Sequence, residues 1–186
     1  MQYFELCFKN ILNKMMMTEI EVLKQIIEKR KSIFPKDYTD KDIPAQVVED
    51  IVSTAKLAPN HKRTKPWKFK VLRGEEKKKL GKELQKIYKD TVPPNMFLDK
   101  KYQDIGFKIE KANAVVALIC EFSVIVPEWE EIAAVAMAVQ NMYLMCTAYN
   151  LGCYWSSPAY VNQVKESFQI GESQKCLGLF YIGSVD

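Results

Sequence analysis

The chain has 186 residues, 48% of them apolar and 27% charged, with a net charge of +4. That balance excludes a disordered, charge-rich tail, and the length suffices for a core without disulfides or a structural metal. So mild a charge is no signature of nucleic-acid binding, and the single histidine, His61, excludes a multi-histidine metal site.

The glycines, at 74, 81, 106, 152, 171, 178 and 183, form neither the Gly-x-Gly-x-x-Gly turn of a dinucleotide fold nor a phosphate loop. Five cysteines (Cys7, Cys120, Cys146, Cys153 and Cys176) are an odd number with no Cys-x-x-Cys pair. Reduced thiols in a cytoplasmic protein are the expectation.

Residues 1–17 read as an N-terminal extension. Glu5, Lys9 and Lys14 interrupt its apolar character, and it has no basic start or cleavage site, so it is no secretory signal. It is either a short amphipathic arm or a stretch ahead of a natural start at Met17 or an earlier methionine. The domain proper spans 18–186.

Thr18 with Glu21 forms a capping box, and Ile20, Leu23, Ile26 and Ile27 make an apolar stripe, predicting a helix to about Arg30. Pro44 suits a first turn, and Val47, Val48, Ile51, Val52 and Ala55 predict a second helix ending before Pro59. Trp67 to Val71 alternates with lysines and reads as a strand closed by Gly74. Glu75 to Lys89 is helical, acids first and lysines later, as the helix dipole favours. Its lysines read as a solvated face rather than a nucleic-acid surface.

Asp99 to Lys111 is a further helix, and Ala114 to Phe122 an unbroken apolar run, hence a central buried strand. Glu128 to Asn150 predicts a long helix whose segment Ile132–Tyr149 is free of charge. Gln140 and Asn141 at its centre argue for a buried soluble helix, not a membrane span. Apolar nearly all round, that helix must be covered on every side, in part by a second subunit if need be. A short strand at Cys153–Trp155, an amphipathic helix at Pro158–Phe168 and a last strand at Cys176–Ile182 complete a single α+β domain.

Positive charge is concentrated. Lys56 to Arg73 holds seven Lys or Arg and no acid, leaving a sum of −3 for the rest of the chain. Arg30, Lys31 and Ser32 form a second basic knot. Ammonium, guanidinium and hydroxyl groups together suit a phosphate, although cations closing a helix also answer its dipole. The loop Ala58–Trp67, stiffened by Pro59 and Pro66, is dense in donors. In Gly152–Pro158, Trp155 offers a face for a planar ring and Ser156 and Ser157 offer edge bonds. A core tryptophan followed by a helix-capping serine is the competing reading.

Arg30-Lys31-Ser32, the Ala-Pro-Asn-His-Lys…Lys-Pro-Trp loop, Pro127-Glu128-Trp129-Glu130 and Gly152-Cys-Tyr-Trp-Ser-Ser, in this order, resemble the nitroreductase superfamily, in particular its small branch, over about Glu19–Ser184. The resemblance implies an α+β homodimer with a central, mostly antiparallel sheet flanked by helices. It further implies FMN at the subunit interface. By position, Arg30, Lys31 and Ser32 match residues that grip the phosphate and ribityl chain. His61, with Asn60 and Lys62 beside it, matches a histidine reaching the flavin from the partner subunit. Trp155, Ser156 and Ser157 match a segment along the flavin ring.

The implied activity is an oxidoreductase in which NAD(P)H reduces FMN and a nitroaromatic, quinone or similar acceptor takes two electrons by ping-pong turnover. Lys62, Arg63 and Lys65 are the candidate cations for the pyrimidine edge, Lys65 first among them. Lys31 replaces an arginine of the pattern. Leu57 and Ser156 stand where a basic residue can occur. The chain ends soon after Gly183, where the family can carry a C-terminal arm. Two rival readings are a non-catalytic FMN- or anion-binding homodimer and a hydrolase pairing His61 with Cys153 or Cys146. No partner membrane or nucleic acid is expected.

Overall fold

The computed structural model describes residues 17–164 and 167–186. The chain divides after Arg30 into two compact units. In the first, helix α1 (Glu19–Lys29) starts at the expected capping box. Thr18 N–H donates to Glu21 Oε2 (2.8 Å), while Glu21 N–H donates to Thr18 Oγ1 (3.3 Å). Arg30 closes it, its N–H donating to Ile26 O at 3.0 Å. None of its residues is buried; Ile20, Leu23 and Ile27 stay 50–67% exposed. The residues before 17 lie outside the described part.

The second unit is built around four strands, β1 (Trp67–Leu72), β2 (Ala114–Glu121), β3 (Leu151–Ser156) and β4 (Gln174–Ser184), in the order β1-β2-β4-β3. Every pairing is antiparallel. β2 is buried from Ala114 to Cys120, so it needs cover on both faces. Its side chains alternate between two cores. Ala114, Val116, Leu118 and Cys120 pack with α2 (Ala45–Ala55) and α5 (Glu128–Ala148). Val115, Ala117 and Ile119 pack with Leu80, Leu84 and Ile109 of α3 (Gly74–Thr91) and α4 (Asp99–Lys111).

Two expectations change. The long helix α5 is not covered all round by its own chain. Ala134, Val135, Ala138, Val139, Met142 and Cys146 are buried, but Ile132 and Met137 remain 36% and 41% exposed. The sheet and α2 reach only one side of it. And the predicted helix at Pro158–Phe168 is only a 3-10 turn over Ala159–Gln163. Its polar side chains serve other elements: Asn162 Oδ1 accepts the Cys176 N–H (2.8 Å), and Ser167 donates its N–H and O–H to Glu83. Val161 and Val164 meanwhile anchor the turn in the core. These long-range bonds take up the polar groups of the segment in place of helical ones. Residues 165 and 166 of that segment lie outside the described part. Among the described residues, no helix is long and apolar enough to cross a membrane.

Residues 31–43 strap the β3–β4 side of the sheet. Ile33 N–H donates to Cys153 O (2.9 Å) and Thr39 N–H to Ser184 O (2.8 Å). Between these points the Tyr38 ring lies over the cross-strand pair Gly152 and Gly183, and its hydroxyl donates to Tyr181 O (3.3 Å). A Cβ at Gly183 would run into that ring. We therefore expect Gly183→Ala to cost about 3 kcal/mol, lowering the melting midpoint by roughly 6–12 °C. Tyr38→Phe should lose only about 1 kcal/mol. Thermal unfolding followed by circular dichroism checks both; equal melting of Gly183→Ala and the parent would refute the slot.

Candidate functional site

The loop from Asn60 to Pro66 is held in a conformation few residues adopt freely. Lys62, Arg63 and Lys65 have φ of 47°, 55° and 50°, each costing on the order of 1 kcal/mol for a non-glycine residue. Three contacts outweigh that cost. Asn60 Oδ1 accepts the Lys65 N–H (3.0 Å), Thr64 N–H donates to His61 O (3.3 Å), and Glu121 N–H donates to Pro66 O (2.7 Å). The last joins the loop to the sheet.

His61 adds a fourth. Its Nδ1 lies 2.5 Å from Glu130 Oε2 in the first turn of α5, which leaves Nε2 for a ligand. Glu131, 1% exposed, accepts both the N–H (2.9 Å) and O–H (2.8 Å) of Ser123, tying the preceding loop to the same helix end. Lys62, Arg63 and Lys65 are all exposed. The loop thus presents three cations and an imidazole from a strained but anchored backbone. Asn150 and Gln169 share such φ values, both 54°; what sets this loop apart is three of them within four residues.

Of the other predicted residues, Ser32 and Trp155 meet at a side chain the sequence did not single out. Trp155 N–H donates to Tyr143 OH (2.9 Å), and Ser32 Oγ lies 3.3 Å from the same oxygen. Tyr143 sits edge-on against Phe180, with centroids 5.0 Å apart. The signal was a phenol within the charge-free helix, a polar tip that needs a partner there. Trp155 is half-buried, and its Nε1–H donates to Leu177 O (3.3 Å). Ser156 pairs with Leu179 in the sheet, and Ser157 is exposed. No helix follows to be capped by a serine, since Pro158 precedes only the 3-10 turn. Lys31 is exposed beside Ser32, and Arg30 is the half-buried cap of α1.

The structure does not bring these two groups together within one chain. Glu130 and Tyr143 are thirteen residues apart on α5, about 20 Å at 1.5 Å per residue. The loop of His61 feeds β1 and Ser32 borders β3, the two outer strands of the sheet.

The same ruler overturns the pairing of His61 with a cysteine. Cys146 is sixteen residues beyond Glu130, about 24 Å along the helix. It is fully buried, its thiol is pushed up by burial, and its hydrogen-bond partner is Cys153. No imidazole reaches either sulfur. Among the described residues no group of His, Cys, Asp and Glu is arranged to hold a metal.

The chain is similar to several known proteins in sequence and in fold. It is 29% identical over 139 residues to "Putative NAD(P)H nitroreductase YdjA" of Escherichia coli (strain K12), covering 74% of this chain and 75% of that protein. Its fold matches the crystal structure of a nitroreductase-like family protein from Bacillus cereus, with a TM-score of 0.74 and 24% identity over 91% of this chain and 89% of the other. It also matches the FMN-dependent nitroreductase NfnB of Mycobacterium smegmatis in complex with NADPH, with a TM-score of 0.71 and 15% identity over 88% and 87% of the two chains. The sequence profile of the nitroreductase family covers residues 27–184. With that span, the order of its motifs and its four-stranded antiparallel sheet between helix layers, the chain belongs to the nitroreductase family.

Proposed function

We propose that the protein is an FMN-dependent NAD(P)H oxidoreductase working as a homodimer. The observation that carries this reading is the strained, cation-rich loop of His61 set about 20 Å from the Ser32–Tyr143–Trp155 cluster. Each group is half of a site, and a second copy of the chain supplies the other half. The donor chemistry fits FMN: ammonium and hydroxyl groups for a phosphate, half-buried indole for a ring face, and a cationic loop for a ring edge.

FMN, when bound, supplies two-electron transfer from NAD(P)H to an acceptor of the nitroaromatic or quinone class, in ping-pong order. The chain's residues do the rest. Lys31 and Ser32, with Arg30 preceding them in sequence, hold the phosphate and ribityl chain. Tyr143 fixes both Ser32 and the Trp155 backbone, so that Trp155, Ser156 and Ser157 meet the ring in one orientation. From the partner loop, Asn60, His61 and Lys62 donate to the cofactor, and Lys65 places a positive charge near the edge where negative charge accumulates on reduction. No protein nucleophile is required.

Two apolar surfaces support the dimer. α5 leaves Ile132 and Met137 open, and α1 leaves Ile20, Leu23 and Ile27 open. Exposed apolar stripes of this kind are stabilised by a protein partner.

Purified protein given FMN and dialysed should keep the visible flavin spectrum, and NADPH or NADH should bleach it without oxygen. Lys31→Ala should weaken FMN by about tenfold or more. A colourless protein sinks the reading, and bound flavin that neither nucleotide bleaches would favour the non-catalytic dimer. Light scattering should give twice 21.5 kDa, and Met137→Glu should halve it; a parent that is already monomeric would remove the partner on which the site depends. Burial holds Cys120 up to about 12 and Cys176 up to about 11. All four described thiols are buried, so they should resist an aromatic disulfide reagent at pH 8 until the fold is unfolded by denaturant. Rapid native labelling of Cys146 or Cys153, with loss of activity, would revive the hydrolase.

A further inference from the structure

A second, differently built place lies across the sheet. A cleft of about 500 Å³ is lined by Lys70 from β1, by Lys79, Lys82 and Lys86 from α3, and by the chain at Ser167 and Gln169. The three helix lysines follow at spacings of three and four, so they share one face. Lys70 lies in β1 two residues before Leu72, on the same face of that strand. Leu72 belongs to the α3–α4 core, whereas α5 and Trp155 belong to the core on the other face. The cleft thus lies on the opposite face of the sheet from α5 and Trp155.

Its charge is unbalanced. Among the described residues, two carboxylates, Glu76 and Glu83, line it against four ammonium groups. Glu83 is already engaged, accepting the Ser167 N–H (3.0 Å) and O–H (2.6 Å) through one oxygen. None of the four lysines joins an ion pair among the described residues, although Lys68 and Lys78, their neighbours in sequence, do. A lone lysine on an outer strand guards the edge against pairing with other chains, which accounts for Lys70 by itself. It does not account for three helix lysines turned toward the same concavity, where like charges repel.

We propose that this cleft binds a compact, multiply charged anion of the phosphate class, with the dimensions of a triphosphate or a sugar bisphosphate. Ammonium groups from two elements can each take a different phosphate oxygen. Among the described residues no aromatic side chain lines the cleft to stack on a base or flavin ring, and the volume lies within the ordinary range for small-molecule sites. The site is a second one, independent of the cofactor reading.

The test is calorimetric titration of the full chain with inorganic tripolyphosphate and, in parallel, with a hexose bisphosphate, at low salt. One site per chain is expected, weakened at least tenfold in the double variant Lys82→Ala/Lys86→Ala and unchanged in Lys100→Ala on α4. Circular dichroism confirms that the variants fold, and an unchanged flavin spectrum separates this outcome from failure of the cofactor reading. Preference for one titrant tells an inorganic chain from a phosphorylated metabolite. No binding of either, equal binding by the double variant, or tighter capture of duplex DNA through the same lysines would overturn the proposal.

Discussion

A strand buried on both faces governs this fold. β2 offers no polar side chain to solvent between Ala114 and Cys120, so its alternating residues demand two separate cores. One is closed by α2 and α5, the other by α3 and α4. At roughly 25 cal/mol per Å² of buried apolar surface, both cores have to form for the sheet to be stable. The candidate groups then lie at the periphery of this three-layer unit: the His61 loop ahead of one outer strand, the Ser32 strap beside the other, and the lysine cleft under the α3 face.

The periphery is held by a few contacts of a different kind. Gly152 and Gly183 face each other across β3 and β4 so that an aromatic ring, not a pair of side chains, fills the space above them. Tyr38 turns the segment before α2 into part of the sheet's cover and delivers Ser32 to Tyr143. At the far end of α5, Glu130 and Glu131 do comparable work for two loops, one through His61 and one through Ser123. Placing acids there also suits the positive end of the helix dipole. One helix therefore sets the separation of the two groups that the proposed dimer reunites.

Much of this was readable in the residues themselves. Period and capping located α1 from Thr18 and Glu21, α2 from Val48, Ile51 and Val52, and β2 from its unbroken apolar run, because such patterns report which face each element must bury. Motif order gave the family, because spacing between loops follows from the lengths of the elements they join. The acid-free stretch from Lys56 to Arg73 pointed to a loop that the structure finds strained and anchored.

What only the tertiary structure decided are matters of distance and competition. The segment after Pro158 has helical periodicity, yet Asn162 and Ser167 bond to β4 and α3 instead, a choice invisible until those partners are near. His61 and Cys146 are both reactive types, and only the length of α5 separates them. Tyr143 became a hub because Ser32 and Trp155, more than a hundred positions apart, meet at one hydroxyl. Sequence determined which faces are apolar and where the charges are dense, since those are local properties of the chain. It could not determine which polar groups would find each other, since a hydrogen bond depends on ångströms that the packing of the whole sheet sets.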